Sequence, residues 1–127
     1  MKNMLRFIAS IALILVLSGF NSMKTTSVLG TWIGEYTSLE RSVPFKVHFW
    51  KDQDRMKGSI ELQNEGTSSL PLSWVMVEST DVHFELVRET GTLVFDGKLK
   101  DGKILGDLLY SNLRGKFQLS PENLVSL

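Results

Sequence analysis

Between Leu29 and Leu119 apolar and polar residues alternate in eight short stretches. The clearest are Phe45-Lys46-Val47-His48-Phe49, Val82-His83-Phe84-Glu85-Leu86 and Leu93-Val94-Phe95-Asp96-Gly97-Lys98-Leu99. A period of two turns one face of a strand to a core and the other to water. The pattern predicts strands over 30–36, 43–51, 56–63, 70–77, 81–88, 92–99, 103–110 and 113–119. Turn-forming residues separate them, among them Asp52-Gln53-Asp54, Asn64-Glu65-Gly66, Thr90-Gly91, Asp101-Gly102 and Ser111-Asn112. Asp-Gly between alternating runs signals a type I′ hairpin, which needs positive φ at both central residues. Eight strands with short turns predict an all-β fold: a single eight-stranded antiparallel up-and-down barrel.

Two-residue turns also set register. A turn at Asp101-Gly102 pairs Leu99 with Ile104, Gly97 with Gly106 and Phe95 with Leu108. A turn at Thr90-Gly91 sets Phe84 opposite Gly97, and one at Ser111-Asn112 sets Gly106 opposite Phe117. One inward row then reads Phe84, Gly97, Gly106, Phe117. Either the phenylalanines lean over the glycines and fill the gap, or the glycines permit the sharp coiling of a small barrel, or they leave room for a ligand. The two structural readings are stronger than the ligand one, because small barrels fill their interiors with side chains. The inward set is Trp32, Phe45, Val47, Phe49, Ile60, Leu62, Phe84, Leu86, Phe95, Leu99, Ile104, Leu108, Phe117 and Leu119, with no ionisable group. Stretch 70–77 is apolar on both faces, so its inward side stays unassigned. Gly34, Gly58 and Gly115 add to the signs of tight curvature.

The first residues have a different character. Lys2 and Arg6 precede an apolar run from Phe7 to Leu17, then small residues at Ser18, Gly19 and Ser22. That order predicts a secretory signal peptide over 1–22, too short to span a bilayer. It leaves one barrel domain over 23–127, in the periplasm or outside the cell, with no stable membrane insertion. Phe20 stands where a lipoprotein signal needs cysteine, and the chain has none, which excludes disulfides and thiolate metal sites as well. Lys2 and Arg6 leave with the leader, so twelve basic residues face fourteen acidic ones, a charge of −2. Nothing there favours nucleic acid. The one helix signal is Ser120-Pro121-Glu122 near the end.

Candidate chemistry is sparse. His48 and His83 fall on the outer face, where neither has the cleft a general base needs. No nucleophile elbow, zinc-binding helix motif or phosphate loop occurs, so no catalytic residue, metal site or cofactor is expected. The same registers set Glu85 opposite Asp96, Asp96 opposite Asp107 and Asp107 opposite Lys116, outside. Opposed carboxylates repel and a hard cation would relieve them, yet strands supply few convergent ligands, and a solvated charged face is the plainer reading. Val87, Val94 and Leu109 line up as an outer apolar spot suited to docking, and Trp50 is expected exposed.

Gly30-Thr31-Trp32-Ile33-Gly34 ahead of an alternating meander resembles the opening of lipocalin-type and avidin-type barrels, whose G-x-W tryptophan closes one end. A resemblance over nearly the whole mature chain is to the N-terminal β-domain that precedes the catalytic domain in secreted bacterial α/β-hydrolases. Gly30-x-Trp32-x-Gly34, Val47-x-Phe49, Val82-x-Phe84, Phe95-x-Gly97-x-Leu99, Asp101-Gly102-x-Ile104-x-Gly106 and Gly115-x-Phe117-x-Leu119 carry it. It implies a lipocalin-like barrel here without the hydrolase domain, and the catalytic triad of that family lies in the missing part. Two functions follow as expectations. One is a secreted, non-catalytic barrel that binds a small hydrophobic molecule through Trp32, Phe45, Phe84, Phe95 and Phe117. The other is an accessory or truncated front domain that docks on a hydrolase or another envelope protein through Val87, Val94 and Leu109.

Overall fold

The computed structural model describes residues 27–63, 66 and 68–122, so the expected leader lies outside it. The strands are β1 (Gly30–Ser38), β2 (Arg41–Asp52), β3 (Arg55–Leu62), β4 (Leu70–Pro71), β5 (Trp74–Glu78), β6 (Asp81–Arg88), β7 (Gly91–Lys100), β8 (Lys103–Tyr110) and β9 (Leu113–Pro121). They form one antiparallel sheet in the order β4-β3-β2-β1-β9-β8-β7-β6-β5, curled into a half-barrel. The helix expected from Ser120 falls on the end of β9, and any continuation lies outside the described residues.

Nine strands appear where eight were expected, because stretch 70–77 changes partner midway. The Leu72 N–H donates to the Gly58 carbonyl of β3 at 2.8 Å. The next N–H, of Ser73, donates to the Glu85 carbonyl of β6, also at 2.8 Å. Two adjacent residues thus carry the chain from one edge of the sheet to the other. Alternation reports which way a side chain points, not which strand its backbone pairs with. Val75 and Val77 pack against the core, while Trp74 and Met76 face out, which assigns the open face of this stretch.

The β7–β8 and β8–β9 registers match expectation: Gly97 pairs with Gly106, Phe95 with Leu108, and Gly106 with Phe117. Asp101 and Gly102 both have positive φ, 54° and 77°, as a type I′ turn requires. The β6–β7 register is shifted by two. Arg88 pairs with Gly91 and the turn is Glu89-Thr90, so Phe84 faces Phe95, and Val82 faces Gly97. Gly91 serves packing rather than the turn. A Cβ there would lie 3.1 Å from the Tyr110 ring and 3.0 Å from Ser111 Oγ, with φ at 143°. A shift of two keeps every side chain on its face, so the inward set survives.

Thirteen of the fourteen expected inward residues are buried and Leu99 packs half-buried beside them; Val28, Val82 and Leu93 join the core. No ionisable side chain is buried among the described residues. Phe84 stacks on Phe95 with ring centres 4.6 Å apart, Phe45 stacks on the other side at 5.3 Å, and Phe117 meets Phe95 edge-on at 5.2 Å. Such pairs contribute about 0.5–1.5 kcal/mol each beyond their buried area. At one end Trp32 Nε1 donates to the Val28 carbonyl at 2.9 Å, anchoring the ring over the core.

The glycine row is a close approach. A Cβ on Gly106 would sit 2.2 Å from the Asp96 carbonyl oxygen and 2.4 Å from the Gly97 Cα. One on Gly97 would meet the tip of the Phe117 ring at 2.8 Å. Phe117 therefore covers Gly97, and the glycines leave no ligand space. Gly106→Ala should cost about 1–3 kcal/mol, because backbone rather than a mobile side chain must move. Urea denaturation checks this; an unchanged midpoint would contradict the close approach.

Candidate functional site

The five aromatic residues expected to touch a ligand are brought together, but as solid core. Trp32, Phe45, Phe84, Phe95 and Phe117 are each at most 3% exposed, and the four phenylalanines pack on one another. Open space lies above them, at the end where the β1–β2, β6–β7 and β8–β9 turns gather. A cavity of about 860 Å³ opens there. Tyr36, Val43, Leu93 and Leu108 give it an apolar floor. Ser38, Arg41, Arg88, Glu89 and Tyr110 form much of its polar rim. Tyr36 joins floor to core, its ring edge-on to Phe45 at 5.5 Å and to Phe95 at 6.1 Å. The Tyr110 hydroxyl hydrogen-bonds Thr90 Oγ1, tying β8 to the β6–β7 turn.

Sequence reasoning set Leu108 inward but missed Tyr36, Val43 and Leu93, and with them the floor. The parity that turns Trp32 inward also turns Tyr36 inward, and the same holds for Phe45 with Val43 and for Phe95 with Leu93. These residues lie at the strand ends. The alternation was legible there, but the loss of packing partners above them was not.

The outer face holds the remaining candidates. His48 Nδ1 is 2.8 Å from Thr31 Oγ1 on the exposed surface. His83, half-buried, lies with Nε2 2.6 Å from Glu85 Oε2 and Nδ1 3.6 Å from Asp96 Oδ1. With β6 shifted, Glu85 faces Val94, and His83 stands opposite Asp96 instead. Asp96 does face Asp107, and Lys116 bridges Asp107 at 2.6 Å. Basic side chains thus already neighbour both opposed carboxylates. Among the described residues no group of three or more acidic or imidazole side chains is placed to hold a metal. Nearby, the hydrogen bond and charge of Asp81 hold the Lys98 ammonium above its ordinary range. A raised value means the pair's contribution is present below the ordinary lysine pKa and fades only as pH climbs through the shifted one.

The expected docking trio is offset by the same shift. Val94 pairs with Leu109, but Val87 faces Thr92, one diagonal step away. Val87 is 61% exposed, Leu109 39%, and Val94 half-buried. Trp50, expected exposed, is so, and lies with Trp74 and Met76 along a groove beside the β3–β5 seam.

The β1–β2 turn above the cavity is strained. Leu39 and Glu40 have φ of 53° and 62°, the left-handed region that Asn-Gly pairs normally occupy in such turns. Each costs about 1 kcal/mol for a residue with a full side chain. Replacing them with Asn-Gly should raise the unfolding free energy by about 1 kcal/mol. Thermal and urea unfolding test it; a less stable variant would show that Leu39 and Glu40 make compensating contacts.

Compared with known proteins, the chain matches no family model, no curated protein and no solved structure.

Proposed function

We propose that this is an exported, non-catalytic barrel module that takes up a small hydrophobic molecule at its open end. The supporting observation is the cavity of about 860 Å³, whose floor is Tyr36, Val43, Leu93 and Leu108. That volume falls within the roughly 300–1,000 Å³ of small-molecule sites, which are typically apolar with a few polar groups at the margin. Counting β4 and β5 as one bent strand, we read the half-barrel as an eight-stranded, lipocalin-like one, with Trp32 as the plug of the end opposite the cavity. The aromatic core then acts as the base on which a ligand rests, and Tyr36, Leu93 and Leu108 replace the deeper phenylalanines as its contacts. Titration with the neutral fluorophore N-phenyl-1-naphthylamine should give a saturable rise in emission. Val43→Trp, which fills the floor from a half-buried position, should abolish it while leaving the circular dichroism intact. Equal emission from the variant would place the probe elsewhere.

A second reading is an accessory domain that docks on a secreted α/β-hydrolase through its outer face. The exposure of Val87 and Leu109 on either side of Val94 favours it. Val94→Lys should then reduce co-purification of a hydrolase from cell-envelope extract. Recovery equal to that of the parent excludes this surface.

A further inference from the structure

The inward rows of β2 and β6 change chemistry at the open end. Along β2 the row is Phe49, Val47, Phe45, Val43, Arg41; along β6 it is Val82, Phe84, Leu86, Arg88. Each row is apolar until its last member, and each last member is an arginine on the rim of the cavity. Below them the inward face carries no buried charge among the described residues, while Arg41 is exposed and Arg88 half-buried. Both arginines lie where their strands have lost one neighbour, because β3 pairs with β2 only from Phe45 and β5 pairs with β6 only as far as Glu85. An inward charge can protect such an edge, and a comparison of ligand head groups separates that role from ligand binding. The two rows approach the cavity from different walls, which meet below it where the β2 residue Phe45 stacks on Phe95 of β7, next to β6. Glu89 is on the same rim, and Arg88 already has an interaction partner, but a guanidinium with five N–H donors can keep one partner and still offer donors to a ligand.

We infer that the cavity selects an amphiphile with an anionic head, a carboxylate or a group of similar size, whose apolar body lies on the Tyr36, Leu93 and Leu108 floor while its head meets Arg41 and Arg88. The inference rests on the ligand-binding reading above. A guanidinium stays charged at any physiological pH and offers a planar pair of donors that matches a carboxylate. An apolar floor with a cationic rim sets both the orientation and the head group. A neutral molecule of the same length would gain the floor alone, and a cationic one would be repelled at the rim.

The test uses one chain length with three heads. Decanoate, decanol and decyltrimethylammonium compete, at concentrations below micelle formation, with N-phenyl-1-naphthylamine bound to the parent protein. Decanoate should displace the probe at a concentration about tenfold lower than decanol, with the ammonium compound weakest. In R41Q/R88Q, checked for an unchanged melting temperature, decanoate and decanol should become equivalent, while R41K/R88K should keep part of the preference. If the probe binds but decanoate and decanol displace it equally, or the preference survives in R41Q/R88Q, the head-group inference falls and the apolar pocket stands. If the parent binds no probe at all, both fall together.

Discussion

The architecture depends on how closely the backbones of β7 and β8 approach at Gly97 and Gly106. With two side chains in that row the strands would be held apart, since a Cβ on Gly106 would lie 2.4 Å from the Gly97 Cα. Without them, the sheet coils sharply enough to bring Phe117 over Gly97 and against Phe95. Gly34 contributes in the same way where β1 meets β9, for a Cβ there would fall 1.8 Å from the Gln118 carbonyl oxygen. Curvature of this degree lets nine short strands wrap one aromatic cluster, and it brings the two outer strands so near that Leu72 and Ser73 can bond to opposite edges. Coiling therefore precedes packing: the ring stack exists because glycine lets the walls come together.

A filled centre makes the two ends unlike. At one end Trp32 lies over the core, its indole N–H satisfied by the Val28 carbonyl. At the other the ring stack stops at Tyr36, while the strands run on to their turns. Among the described residues the walls above Tyr36 enclose open space. A pocket in this fold is thus the part of the cylinder that outlasts its own core, and its chemistry is set by the last inward residue of each strand. That is why Arg41 and Arg88, rather than the buried phenylalanines, line the cavity rim.

Most of the fold was legible because alternation is redundant. Each strand repeats its inward choice three or four times, so an error of two in the β6–β7 pairing left Phe84 and Leu86 inside. Side chain parity survives such slips; the identity of the opposite neighbour does not. Asp101-Gly102 was read correctly because its residues permit only one common turn, whereas Thr90-Gly91 offered a glycine whose purpose was to pass the Tyr110 ring. Both the offset of Val87 from Val94 and the replacement of Glu85 by His83 opposite Asp96 trace to that one glycine. The cavity was illegible for another reason. It is a volume bounded by five strands, and no single stretch of sequence records where the side chains of the other four end.

The strained hairpin bears on the same end. Natural turns seldom keep two full side chains at positive φ where Asn-Gly would serve, and such strain persists when the surrounding structure imposes it or function uses it. Here the turn carries Leu39, 69% exposed, at the tip of a hairpin whose base holds Ser38 and Arg41 on the cavity rim. An exposed leucine adds nothing to folding that asparagine would lack, and it loses the turn's local hydrogen bonding. The steric demand of β1 and β2 ends at the Ser38–Arg41 pair, so the strands do not dictate what the two tip residues are. What remains is the position itself: an exposed apolar group at the tip of the hairpin whose base reaches the cavity rim.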